Sequence, residues 1–127
     1  MDNKNAELKA ETFSDSPAPP CKAACPVNTD AQRYVSLIAQ ERYVEALEVI
    51  MENNPFPGSI GRICFHPCES NCRRRLVDQP ISICSLKRFV TDKVGDAYKP
   101  KFVVKTNDKT IGIIGAGPSG LTAAHDL

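Results

Sequence analysis

The sequence predicts a mostly α-helical chain whose C-terminal end turns into a β-α unit. Three observations predict it. Apolar residues recur at helical spacing through residues 30–53 and again through 82–94. Asn53-Asn54-Pro55 and Asp78-Gln79-Pro80 punctuate these stretches, because the residue before proline is pushed out of the α region. Near the C-terminus, an apolar run from Thr110 leads into a glycine-rich turn and a second helical start.

Taken in order, Thr29 or Asp30 caps a first helix with Tyr34, Val35 and Ile38 on one face. A second helix covers residues 42–53, with Val44, Leu47, Ile50 and Met51 as its apolar stripe. Together they form an αα-hairpin. Residues 56–59 are expected as a loop, and 60–65 fit neither helix nor strand clearly. Pro67 suits the first position of a short helix carrying Cys68 and Cys72. Ser82 caps a longer helix with Ile83, Leu86, Phe89, Val90 and Val94 at helical spacing. A connector over 95–101 precedes a short strand at 102–104, a turn at 106–109 and a buried strand at 110–114.

Composition excludes some classes of function. The net charge is +1, so the chain carries no basic footprint for nucleic acid. No apolar run approaches the roughly 18 residues of a membrane span. Residues 1–20 are polar, end in Ser-Pro-Ala-Pro-Pro and lack the apolar segment of a secretory signal. They are expected as a disordered tail or docking arm. The expected compartment is therefore the reducing cytoplasm, where six cysteines suit metal or redox chemistry better than disulfides.

The cysteines fall as Cys21-x3-Cys25-Pro, Cys64-x3-Cys68-x3-Cys72, and Cys84. Two tight groups bracket the αα-hairpin, so folding can bring distant thiols to one metal core. Cys68 and Cys72, four apart, would share a helix face. A Cys-Pro dipeptide is common in iron–sulfur ligand runs. Structural zinc usually uses Cys-x2-Cys knuckles, which the x3 spacings match less well. Inert buried thiols are the third reading. His66 is either a loop histidine or a ligand or donor beside the centre. Arg73, Arg74 and Arg75 are either a solvated face or a countercharge to a cluster or acidic partner.

Gly115-Ala-Gly117-Pro-Ser-Gly120 is a G-x-G-x-x-G fingerprint between an apolar strand and a helical start. Gly115 allows the tight turn, Gly117 a close approach to pyrophosphate, and Gly120 close helix–strand packing. This is the start of a Rossmann-type nucleotide-binding unit. The sequence stops at Leu127, before the acidic residue expected about 20 positions on. The chain is thus expected to be the front of a longer protein and not to bind a dinucleotide well by itself.

These residues carry a family resemblance. Cys-x3-Cys-Pro, Asn-Pro-Phe-Pro, Gly61-Arg62-Ile63-Cys64, Pro67-Cys68-Glu69-x2-Cys72-Arg73 and Pro80-Ile81-x-Ile83-x2-Leu86-Lys87-Arg88-Phe89 occur in order. Gly-Ala-Gly-Pro-Ser-Gly-Leu follows them. The set resembles the small subunit of NADPH-dependent glutamate synthase and the N-terminal part of dihydropyrimidine dehydrogenase. It is also similar to flavin subunits of bifurcating transhydrogenases. The resemblance covers about residues 20–127. It implies a small helical [4Fe-4S] domain followed by FAD- and NAD(P)H-binding domains, passing electrons to a redox partner subunit or domain. The whole protein would be an NAD(P)H-dependent oxidoreductase, with no catalytic acid, base or nucleophile in this part.

The resemblance also implies a ligand set, from which this chain departs twice. Two-cluster members carry an extra Cys-x2-Cys before the Cys-x3-Cys-Pro, where this chain has residues 14–20 without cysteine. Their first cluster adds the positions of Cys21 and Cys72. Their second uses the positions of Cys25, Cys64 and Cys68, with Gln or Glu at the position of Lys87. Lysine is a poor ligand, and Cys84 lies one helical turn earlier. The simplest expectation is one [4Fe-4S] cluster on Cys25, Cys64, Cys68 and Cys84, with Cys21 and Cys72 as a nearby thiol pair. That pair could instead supply the fourth ligand or share a cluster with a second chain.

The expected division is a tail over 1–20, a helical iron–sulfur domain over 21–100, a linker over 101–110 and the incomplete start of an FAD/NAD(P)-binding domain over 111–127. The competing reading is a zinc-stabilised helical interaction module without redox activity.

Overall fold

A computed structural model of the chain describes residues 18–99 and 108–127. Pro20 at the first helical position opens the four-residue helix α1 (Pro20–Ala23). Asp30, not Thr29, caps α2 (Ala31–Ala39), its carboxylate accepting the Arg33 N–H at 3.1 Å. Glu41 then adopts a left-handed conformation, and the Glu41 and Arg42 N–H groups bond back to the Ile38 and Leu37 carbonyls. This Schellman closure turns the chain sharply into α3 (Tyr43–Met51). The expected αα-hairpin is present.

The buried face of α3 differs from the expected stripe. Ala46, Leu47, Val49 and Ile50 are buried, whereas Val44 is 50 % exposed. The reason is that α3 is covered from two sides, by α2 and by α6 (Ile83–Val94). Tyr34, Ile50 and Val90, one from each of these three helices, are the largest fully buried side chains. The core is therefore a three-helix junction.

The loop expected at residues 56–59 is instead the start of a helix, α4 (Pro57–Ile63). Asn54 Oδ1 accepts the Phe56 N–H at 3.2 Å, and Pro57 is set at the first turn. The helix holds despite two glycines because it packs closely along α6. A Cβ at Gly61 would lie 3.3 Å from the Arg88 Cα. Arg62 reaches across to Asp92 at 2.8 Å.

The short helix expected after Pro67 is α5 (Pro67–Ser70), with left-handed His66 at its cap. It ends before Cys72, which is extended and buried at the head of a 3-10 turn, Arg73–Leu76. Cys68 and Cys72 therefore do not share a helix face, because α5 is only one turn long. Ser82 stands at the cap position of α6 without a side-chain bond. Buried positions on α6 are Ile83, Cys84, Lys87, Val90 and Val94. Phe89, expected inside, is half exposed and meets the Tyr43 ring edge-on at 5.8 Å. A second 3-10 turn, Gly95–Ala97, follows.

The expected strand at 102–104 lies outside the described residues, as do most of the expected tail and linker. Among the described residues there is no strand: residues 110–114 run without a ladder, and Ile111, Ile113 and Ile114 are exposed. A lone strand has no partner for its backbone groups or its apolar side chains. The helical half of the unit does form, as α7 (Pro118–Asp126). Gly115 has φ +103°, and a Cβ at Gly120 would lie 2.0 Å from the Gly115 carbonyl oxygen. The turn therefore requires glycine at both ends.

Candidate metal centre

All six cysteines are free thiols. Packing of α1 against α5 brings the Cys21–Cys25 segment alongside the Cys64–Cys72 segment. The junction of α4 and α6 brings in Cys84, whose Sγ lies 3.6 Å from the Gly61 carbonyl oxygen and 4.0 Å from that of Cys64. Tyr34 stands beside this assembly. Its hydroxyl donates to the Ile83 carbonyl at 3.1 Å, fixing the first turn of α6 to α2. Burial, then the charges of Cys68, Cys84, Cys25 and Cys21, push its phenol far upward.

The thiols fall into two electrostatic groups. Burial raises Cys68 to about 11, helped by Glu69, Cys25 and Cys64. Burial also raises Cys84; Lys87 opposes this, while Cys64 and Glu69 add to it. Cys68 thus feels Cys25 and Cys64, and Cys84 feels Cys64. Cys21, raised first by burial, acts with Cys72 instead. Cys21 and Cys72 also line an open apolar groove of about 930 Å³ with Val35, Leu76 and Val77, and none of the other four cysteines borders it.

Hydrogen-bond donors bear on the sulfurs of the first group. The His66 N–H donates to the Cys64 sulfur at 3.3 Å. At Cys25 burial acts upward, but hydrogen bonds from Thr29 and Val27 and the charge of Lys87 outweigh it, so the thiol is held below its ordinary value. Thr29 Oγ1 is buried beside Cys25, with no other partner among the described residues. Hydrogen bonds to sulfur are what iron–sulfur sites use to stabilise and tune their thiolates. The donor set, with a buried hydroxyl directed to the Cys25 sulfur, therefore fits a cluster.

The sequence located the six cysteines but not the residues that orient them. Glu69 Oε1 accepts the Cys84 N–H at 2.8 Å across 15 residues, and no local pattern announces that bond. Lys87 was legible in principle: positions 83, 87, 90 and 94 form one helical stripe, which places it inward. Among the described residues no helix is long and apolar enough to cross a membrane.

Comparison with known proteins bears on the class of centre. The chain is 38 % identical over 117 residues to the NADPH-Fe(3+) oxidoreductase subunit beta of Geobacter sulfurreducens, covering 91 % of this chain and 17 % of that protein. It is 36 % identical over 139 residues to the NADP(+)-dependent formate dehydrogenase subunit beta of Moorella thermoacetica, covering 91 % and 20 %. It is 30 % identical over 129 residues to the glutamate synthase [NADPH] small chain of Mycobacterium tuberculosis, covering 100 % and 26 %. The chain thus spans about a quarter or less of the length of these relatives. A family model described as dihydropyrimidine dehydrogenase domain II, 4Fe-4S cluster, matches residues 1–98, and with its helical scaffold and clustered thiols the chain belongs to that family of 4Fe-4S domains.

Proposed function

We propose that this domain carries single electrons between a flavin and a redox partner in a flavin-dependent NADPH oxidoreductase, through one [4Fe-4S] cluster held by Cys25, Cys64, Cys68 and Cys84. The observation that carries this reading is the grouping of those four thiols, apart from Cys21 and Cys72. The cluster, when bound, supplies reversible one-electron storage. The chain's own residues hold and screen the thiolates. The His66 N–H and the Thr29 hydroxyl bear on the sulfurs, and Tyr34 anchors the helix that presents Cys84.

FAD and NADPH would bind in a nucleotide-binding unit beginning at Gly115, Gly117 and Gly120. Relatives are named as beta subunits, which supports a partner subunit as electron donor or acceptor. The free thiols favour a cytoplasmic setting.

Anaerobic purification with iron, sulfide and EPR analysis tests the ligand set. Each chain should carry about four iron and four sulfide. Serine at Cys25, Cys64, Cys68 or Cys84 should remove most of the cluster, whereas Cys21→Ser and Cys72→Ser should retain it. A full cluster in Cys84→Ser together with its loss in Cys72→Ser would overturn the assignment.

A further inference from the structure

Lys87 is only 8 % exposed, on the inner stripe of α6 and one turn beyond Cys84. A buried ammonium is costly unless an opposite charge meets it. Lysine often escapes that cost by burying its stem and leaving the head in water, or by pairing with a carboxylate. Among the described residues no carboxylate forms an ion pair with Lys87. The acid nearest the centre, Glu69, is engaged instead by the Cys84 N–H and by His66 at 3.5 Å. The groups on which Lys87 does act are the sulfurs of Cys25 and Cys84, which come from opposite ends of the domain sequence.

We propose that Lys87 is a positioning residue for the centre, its buried positive charge beside Cys25 and Cys84 offsetting the negative charge of the thiolate-ligated cluster and making it easier to reduce. The inference rests on the ligand set proposed above. Adding an electron to such a cluster adds negative charge, so a fixed cation nearby favours the reduced form.

The test uses the full chain purified anaerobically with its cluster, in wild-type, Lys87→Met and Lys87→Arg forms. Methionine keeps the length and removes the charge, and arginine keeps the charge. Iron content, far-UV circular dichroism and an EPR-monitored redox titration are read for each. The expected result is full iron and unchanged helicity in all three. Lys87→Met should be reduced on the order of tenfold less readily, about 59 mV lower for one electron. Lys87→Arg should stay near wild type. A cluster in Lys87→Met with wild-type potential overturns the proposal. So does an equal shift in Lys87→Arg and Lys87→Met, because the effect would then follow shape and not charge. Loss of iron in Lys87→Met alone also overturns it, making Lys87 a ligand or a structural requirement. Failure of the ligand set is separate: it appears in the cysteine variants whatever Lys87 does.

Discussion

The Glu69 carboxylate caps helix α6 from outside it, accepting the Cys84 N–H at 2.8 Å. The residue beside one thiol thereby fixes the backbone of another. Ser82, at the cap position, makes no side-chain cap bond, and among the described residues Glu69 is the side-chain acceptor at this helix start. Its negative charge also meets the positive end of the helix dipole.

Glu69→Ala should therefore cost about 1–2 kcal/mol of stability, the size of a lost helix cap made by a charged acceptor. Urea unfolding of the metal-free protein measures it. Glu69→Gln, which keeps an acceptor oxygen and removes the charge, should recover part of that loss. An unchanged midpoint in Glu69→Ala would mean that solvent caps α6 equally well.

Gly61 lies where α4 packs tightly on the backbone of α6. Its missing Cβ would sit 3.3 Å from the Arg88 Cα and 3.4 Å from the Arg88 nitrogen, which are backbone atoms with little freedom to yield. Alanine gains about 1 kcal/mol of helix propensity, but overpacking typically costs about 1–3 kcal/mol. The expected net result for Gly61→Ala is a loss of about 1 kcal/mol. Because the Gly61 carbonyl faces the Cys84 sulfur at 3.6 Å, the displacement should also lower iron content after reconstitution. Both are read from the same preparation, by denaturant titration and iron analysis.

The thiols should titrate in a definite order in the metal-free protein. Cys25 is held below its ordinary value and Cys68 is raised to about 11, chiefly by burial and next by Glu69. Iodoacetamide, which attacks the thiolate, should therefore modify Cys25 at a lower pH than Cys68, as mass spectrometry across a pH series would reveal. The sign for stability follows. A thiol raised in the folded state keeps its proton there when the unfolded chain has lost it. Stability from Cys68 is thus intact below the model-peptide value of 9.0 and lost as pH rises toward about 11. A rise in stability over that interval would contradict the buried placement of Cys68.

Local patterns made much of the fold legible. Asp30 as a cap, the apolar spacing of α2 and α6, and Pro67 at a helix start are decided within one or two turns. The helix at Pro57–Ile63 escaped that reading because two glycines argue against it locally. Its packing against Arg88 on α6, distant in sequence, decides in its favour. The strand at 110–114 failed in the opposite way: its apolar pattern is real, but a strand exists only with a neighbour.

The sequence by itself determined where a centre could lie. Six thiols in two spaced groups around an αα-hairpin favour a thiolate-ligated cluster over zinc or inert thiols, because ligand chemistry depends on residue type and spacing. Only the tertiary structure set what surrounds the thiols. Cys68 and Cys72, four apart, do not share a helix face because α5 ends after one turn. Glu69 reaches the Cys84 N–H, and the charge of Lys87 acts on Cys25, across segments far apart in sequence. Such contacts arise from packing over long sequence separation, which spacing along the chain cannot encode.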